Sequence, residues 1–431
     1  MTKRYATPGT ARFGRSARTA WGAAWGAAWA TVSPHAGALA ARTGDEMSGP
    51  ALMLAGLALT GSAAAGAALL AGITVAAAVG GPVLGALLDR AAQPGRPLAA
   101  ALVLYAAGLA LVLLALGRLP FAVSVLLAVA TGLLGPALSG GWTAQLPHVV
   151  PADRLPRANA LDAMTFGAAS LAGPALAGGT AAALGAPTAV LVSVALIGAA
   201  VPAAWRLPAR PGAAHRPRAA SLSGDLTAGV RALVGGRRLA RATLVSVVCC
   251  IGQGMLTACL PLLGERVLGG AGRGTALLSC TAAGALAANV LLARFPRAVA
   301  PDTILWATAL IQASAPALAA LSLTASGGPA LLVTAAIVTG LAEGPALSAL
   351  FAVRHQEAPA RLRGQVFTTG ASLKITAFAL GAALAATLSP RSLPLTLALA
   401  AGTSTAAALT FVALRESAHE TAAPPSSDSV R

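Results

Sequence analysis

Lysine is almost missing from this chain: of 30 basic residues only Lys3 and Lys374 are lysine. A phosphate-cradling Walker loop needs Gly-Lys-Ser/Thr, and neither lysine sits in that context, which argues against ATP as a direct fuel. Charge of any kind is scarce, at 10% of 431 residues, and acids number only 13. Cysteine is limited to Cys249, Cys250, Cys259 and Cys280, all within apolar stretches, where they read as small packing residues rather than a disulfide framework or metal site. His-Glu-x-x-His and other metal-ligand spacings are missing too, and the five histidines fall at expected helix ends or in polar segments. These gaps exclude an intramembrane hydrolase and a redox protein, and no cofactor is expected. The net charge of +17 would suggest nucleic acid in a soluble protein, but the arginines sit in short segments between apolar runs, so no nucleic-acid partner is expected.

What the chain has is apolar length. Hydrophobic residues make up 56% and the mean hydropathy is +0.75. Twelve stretches are long enough to cross a hydrocarbon layer of ~30 Å. Their approximate limits are 35–58, 62–88, 97–117, 120–145, 158–182, 186–205, 242–264, 274–294, 302–324, 329–353, 364–388 and 393–414. The expected fold is all-α and polytopic, with twelve transmembrane helices in two pseudo-symmetric six-helix bundles over 35–205 and 242–415. A polar linker at 206–241 joins them, and a small, polar tail at 416–431 is expected to be disordered.

Arginines recur after every second helix: Arg90 and Arg96, Arg154 and Arg157, eight between Arg206 and Arg241, Arg294 and Arg297, then Arg354, Arg361 and Arg363. The opposite loops hold only Arg118, Arg266, Arg273 and Arg391. The positive-inside rule therefore predicts a multi-pass protein of the cytoplasmic membrane with both termini in the cytoplasm. Residues 1–34 form a basic segment in which Trp21, Trp25 and Trp29 repeat at helical spacing. It reads either as an interfacial helix or as a tryptophan belt extending helix 1.

Intramembrane charges are the candidate functional residues, because each costs at least ~2.5–3.5 kcal/mol on insertion scales. Arg42, Asp45 and Glu46 lie at i, i+3 and i+4, so one face of helix 1 is expected to carry all three, with Arg42 pairing either acid. The triplet reads either as a self-neutralising seal or as a protonatable coupling or substrate site. Glu343 in helix 10 has no basic neighbour on its own helix, and Lys374 in helix 11 is its expected partner. Asp162 is expected to cap helix 5 or pair with Arg154 or Arg157. Three acids against Arg42 and Lys374 lean toward a cationic or amphipathic cargo, with Trp142 offering an aromatic surface.

An internal repeat supports the two-bundle reading. TGLLGPALS at 131–139 recurs as TGLAEGPALS at 339–348, about half a chain apart. After helix 2, GALLDRAAQPGR carries Gly85, Asp89, Arg90, Gly95 and Arg96, which resemble the Gly-x-x-x-Asp-Arg-x-Gly-Arg signature of the major facilitator superfamily, with three extra residues in its second half. In helix 5, Gly173, Pro174 and Gly178 look like the Gly-Pro-x-x-Gly-Gly element of that family's drug and metabolite antiporters, with Ala177 in place of a glycine. An arginine that the resemblance places in helix 4 of many proton-coupled exporters is missing here.

The resemblance implies a non-enzymatic secondary transporter for a small molecule, exporting it in exchange for protons by alternating access. An importer, or a sensor that keeps the fold, shares the architecture. It further implies that helices 1, 4, 7 and 10 line the central cavity, placing Asp45, Glu46, Gln253 and Glu343 around it and Gln145 nearer its cytoplasmic mouth. Gln145 and Gln253 can equally serve as interhelical hydrogen-bond partners. Asp89 would latch onto the start of helix 11, beside Arg361 or Arg363. Since one chain holds both halves, a monomer suffices for a pathway through the lipid bilayer.

Overall fold

Backbone N–H and C=O groups in hydrocarbon find no water, so a spanning segment has to satisfy them within itself. The long apolar runs accordingly fold as helices. A computed structural model describes residues 13–209, 222–324 and 328–420, with side chains over 35–209, 224–324 and 328–414. The first bundle comprises α1 (Phe13–Thr60), α2 (Ala63–Arg90), α3 (Gly95–Ala115), α4 (Phe121–Gly132), a π-helical stretch at Ala137–Gly141 leading to the short α5 (Leu146–Val149), then α6 (Leu155–Leu184) and α7 (Ala186–Trp205). A linker helix, α8 (Leu222–Gly235), follows. The second bundle comprises α9 (Arg237–Leu263), α10 (Ala271–Arg294), α11 (Pro301–Leu321), α12 (Gly328–Glu357), α13 (Arg363–Leu388) and α14 (Leu393–Glu420).

With α4, the π stretch and α5 taken as one crossing, the described residues contain twelve long helical rods. Ten are apolar enough throughout to count as spans by length and composition. The other two, α1 and α6, carry Arg42, Asp45, Glu46 and Asp162 between them. Large side chains such as Val75, Leu126, Leu184 and Leu409 are exposed on the bundle surface, as lipid contact requires.

Helix 1 is a single rod, so residues 20–41 continue into it without a break. The side chains of Trp21, Trp25 and Trp29, the middle of the linker at 210–221 and the tail from 421 onward lie outside the described residues. Part of the expected linker is ordered as α8, which packs on α2, α9 and α13 and buries Leu233 against Leu239, Ala358 and Val366. The helix α14 runs on to Glu420, beyond the expected limit of the second bundle.

The two ends of the molecule differ. Turns at the end away from the linker are tight and use glycine at positive φ, as at Gly61 (69°) and Gly185 (91°). Connections at the linker end carry the arginines and a network of ion pairs. There Arg238 and Arg241 reach Asp302 at 2.7 and 2.8 Å, and Arg238 reaches Glu357 at 2.9 Å.

The halves meet where α2 packs on α13 and where α6 packs on α10 and α12. The repeated sequence explains how each half is built. Gly132 in α4 lies against the backbone of Ile73 in α2, and Gly340 in α12 lies against the backbone of Thr281 in α10; a side chain at either glycine would collide with a carbonyl oxygen. One turn on, Gly135 faces Ala77 and Gly344 faces Ala285, so both copies meet the equivalent neighbour at positions four residues apart on that neighbour. The second copy is one residue longer, and Glu343 falls in the lengthened stretch.

Candidate functional site

Successive helical residues point about 100° apart, and this decides the fate of the helix 1 charges. Arg42 turns toward α6 and pairs with Asp162, its Nη1 lying 2.8 Å from Oδ1, with both side chains almost fully buried. Nη2 donates to Thr143 Oγ1 (2.9 Å), the Ser139 carbonyl (3.1 Å) and Asp162 Oδ2 (3.3 Å), while Nη1 also donates to Thr165 Oγ1. Thr143 in turn donates to Asp162 Oδ2 at 2.7 Å, and the guanidinium lies 3.7 Å from the centre of the Phe166 ring. The expected pairing of Arg42 with Asp45 or Glu46, and of Asp162 with Arg154 or Arg157, is therefore corrected. Packing of α6 on α1 brings a buried carboxylate to the guanidinium, which removes any need for the acids on its own helix.

Asp45 instead accepts a hydrogen bond from the Tyr105 hydroxyl at 2.6 Å, and lines a cavity of about 230 Å³ bounded by α1–α4 and by Ile375 of α13. Glu46 also faces the main cavity between the halves, a space of about 330 Å³, with Ser170 Oγ 3.4 Å from its Oε1. Glu343 faces the same cavity from α12. Fourteen residues separate Glu46 from the end of α1 at Thr60, and fifteen separate Glu343 from the start of α12 at Gly328. At 1.5 Å per residue both carboxyl-bearing positions lie about 21–23 Å below the far end. The lining runs from that end, at Leu260, Ala319 and Leu332, past Thr339 and Phe378 down to these two acids, with Phe166 about one turn deeper.

Gln253 lines the cavity too, and its Nε2 donates to Gln312 Oε1 at 2.9 Å, so it serves as both lining and interhelical tie. Lys374 is not ion-paired with Glu343 among the described residues. The two share a water-sized void of about 20 Å³ with Gln253 and Gln312 inside the second half.

Helix 4 departs from the expected lining. It is missing from the lining of the main cavity and reaches the second one through Gly132 and Gly135, its glycine face being given over to contact with α2. Gln145, beyond the π stretch that adds a residue to the turn, is buried and donates to Gly141 of its own helix at 3.4 Å. It lies off the cavity. Trp142 packs in the core of the first half, where the ring abuts Gly37, and offers no aromatic surface to a cargo.

Below the cavity the linker end is closed by backbone contact. The first turn of α13 has no side-chain cap of its own, and its free N–H groups are met from the other half. Asp89 Oδ1 accepts from Gly364 N and Oδ2 from Gln365 N, both at 2.8 Å. Gly85 allows this approach, since a Cβ there would collide with Gln365 and Thr368. Thr368 donates to the Gly81 carbonyl (2.6 Å) and Ser372 to the Ala77 carbonyl (2.7 Å), continuing the seam along α2.

The remaining signature residues spread outward. Arg90 pairs with Asp225 of α8 at 2.6 Å, Gly95 lets α3 approach the Ala204 carbonyl, and Arg96 stands 5.9 Å from the Trp205 ring. Arg363 Nη2 donates to the His355 carbonyl at 3.3 Å and Arg361 is exposed, while the Asp89 carboxylate accepts from the backbone amides of Gly364 and Gln365. In helix 5, Gly173 accommodates α1 at Glu46 itself, where a Cβ would stand 2.6 Å from Glu46 Cβ. Pro174 lines the cavity, and Gly178 meets open space, so close packing at this motif is confined to Gly173.

Arg354 and His355 fall just beyond the expected end of helix 10 at residue 353. The helix α12 continues to Glu357 and buries both. His355 Nε2 donates to the Thr143 carbonyl at 3.0 Å, a second tie across the halves, and Arg354 packs against Gly370 and the Phe367 ring. Hydropathy averages hide such residues; opposite charges or donors at matching depth on adjacent helices are the signal that reveals them.

The sequence profile of the Major Facilitator Superfamily matches residues 35–386. No curated protein matches the chain by sequence. Among solved structures, a bacterial homologue of the iron transporter ferroportin in an outward-facing state superposes with TM-score 0.74 at 13% identity, over 90% of this chain and 99% of that one. The human organic anion transporter MFSD10 (TETRAN) gives 0.72 at 15% identity, over 89% and 99%. The transporter FucP in its outward conformation gives 0.66 at 15%, also over 89% and 99%. At these identities the likeness is one of fold, and with the profile covering most of the chain, the protein belongs to the major facilitator superfamily and is a multi-pass membrane transporter rather than an enzyme.

Proposed function

We propose that this transporter exports a small, cationic or amphipathic molecule from the cytoplasm in exchange for protons, by alternating access. The observation that carries the reading is the cavity between the halves with one carboxylate from each, Glu46 and Glu343, at a common depth. A carboxylate retained so deep is costly unless it exchanges its charge with a proton or a cationic partner. Two of them in a cavity also lined by Phe166 and Phe378 suit competition between protons and an apolar cation.

The basic linker end faces the cytoplasm, because its arginines outnumber those of the far end. The conformation described is then outward-facing: Asp89, Thr368 and Ser372 hold the cytoplasmic side shut while the cavity extends to the other. Protonation of Glu46 and Glu343 from outside displaces cargo and removes their charge, so the halves can rock together over them. Release of the Asp89 carboxylate from Gly364 and Gln365 opens the cytoplasmic side, where deprotonation readies the site for new cargo. Both termini lie in the cytoplasm, one chain completes the pathway, and Lys374 tunes Glu343 from behind the cavity wall.

The test is flux of a fluorescent lipophilic cation in proteoliposomes under an imposed pH gradient. Wild-type protein is expected to move the probe against its concentration gradient. Glu46→Gln and Glu343→Gln are each expected to abolish gradient-driven accumulation. Full accumulation by both variants would overturn the assignment of these acids to coupling.

A further inference from the structure

Among the described residues, another cavity is larger than the one between the acids. A crevice of about 620 Å³ opens at the linker end where α1, α6 and α10 meet, within the range of volumes that hold ligands. Its body is apolar, formed by Leu39, Leu161 and Met164 with Leu286 of the opposite half. Its polar end carries Arg154 and Arg157, neither of which has an ion-pair partner among the described residues. His35 completes that end, with its Nδ1 buried and without a hydrogen-bond partner. Asp153, next to Arg154 in the chain, is exposed, and its carbonyl accepts from Arg297 Nη2 at 2.9 Å, a tie between the two halves at the linker end.

We infer that this crevice is a binding site for an anionic phospholipid of the leaflet at the linker end, with one acyl chain in the apolar body and the phosphate between Arg154, Arg157 and His35. Charge complementarity selects the occupant. Unpaired guanidinium groups at headgroup level, above an apolar slot between membrane helices, match a molecule that is anionic at one end and hydrocarbon at the other. A zwitterionic lipid offers the same phosphate but brings a cationic group next to it, which opposes the two arginines and weakens the attraction. Since the crevice is built from both halves, the lipid ties α6 to α10 in the conformation described. The inference goes beyond the transport reading, and its test requires no flux.

Native mass spectrometry of the full chain, titrated in detergent with phosphatidylglycerol or phosphatidylcholine of identical acyl chains, reads the preference directly. Wild-type protein is expected to retain phosphatidylglycerol preferentially. Replacing Arg154 and Arg157 together by glutamine is expected to weaken that retention roughly thirty-fold, from about 1 kcal/mol for each arginine near a headgroup. Ala168→Trp, which fills the apolar body, is expected to weaken both lipids alike, and an unchanged thermal midpoint for each variant separates lost binding from lost fold. Equal retention of the two lipids, undiminished binding in the glutamine variant, or full competition by free glycerol phosphate would each overturn the proposal.

Discussion

At the scale of single residues, the charges in the first half divide into one that holds structure and one that faces the cavity. The Arg42–Asp162 pair is buried, bidentate and supplied with further partners in Thr143, Thr165 and Ser139. Removing one member strands the other charge in a dry interior, at a cost of about 3–5 kcal/mol. Asp162→Asn and Arg42→Ala are therefore expected to lower the thermal midpoint sharply, measured by fluorescence-detected gel filtration after heating. The double replacement is expected to be less harmful than the sum of the two. Glu46→Gln, facing a cavity with only a long contact to Ser170, is expected to leave the midpoint unchanged while affecting flux. Equal destabilisation by Glu46→Gln and Asp162→Asn would show that this division of labour is wrong.

That division was only half legible in the residues. The presence of charges at membrane depth is a direct consequence of composition, and it singles out Arg42, Asp45, Glu46 and Glu343 without a structure. Their partners depend on which helix lies beside which face. Spacing of i and i+4 makes Arg42 and Glu46 neighbours, but the choice between Glu46 and Asp162 is settled by α6 packing on α1. Counted from the far end, Arg42 is 18 residues deep and Asp162 is 22, a difference of about one turn. Matching depths across helices would have brought them together; matching spacing within one helix could not.

At the scale of elements, glycines and one aspartate decide where helices touch. Gly173 and Gly178 lie on the same helix, yet only the first is crowded. Gly173→Ala is expected to destabilise by about 1–3 kcal/mol through overpacking against Glu46. Gly178→Ala, with no atom within 4 Å, is expected to stabilise α6 by up to about 1 kcal/mol through helix propensity. Thermal midpoints of opposite sign would check both; a loss at each would show that the motif acts as a unit.

Asp89 caps α13 from the other half, and its two hydrogen bonds to free N–H groups combine with the positive end of that helix. Asp89→Asn keeps the shape but loses the charge and one acceptor, so the linker end is expected to open more often, by about 1.5–3 kcal/mol for charge-assisted bonds. The contact of Asp89 with the start of α13 is anticipated by the signature that these residues resemble. The closure by Thr368 and Ser372 is not, since hydroxyls that bond a neighbouring carbonyl look like any others in a chain rich in small residues. The π stretch at Ala137–Gly141 was equally hidden, and it is what turns Gln145 away.

At the scale of the whole molecule, two six-helix halves share a repeat in which equivalent glycines, Gly132 and Gly340, press helix 4 onto helix 2 and helix 10 onto helix 8. Order and approximate limits of ten of the twelve long helices follow from apolar length and composition, whereas α1 and α6, which carry the buried charges, fall short of that measure. The extra length of α12, which buries Arg354 and His355, follows from packing on α13 and has no hydropathy signal.

The central claim is that the halves rock about the Glu46–Glu343 cavity, opening one end as the other closes. Spin-label distances measured in nanodiscs test it most directly, with one pair at the linker end, Gln93 and Arg361, and another at the far end, Ala63 and Thr387, all exposed positions. The account predicts two populations in which a long distance at one end accompanies a short distance at the other, with Asp89→Asn enriching the state that is open at the linker end. A single distance at each end, unaltered by Asp89→Asn, would contradict it.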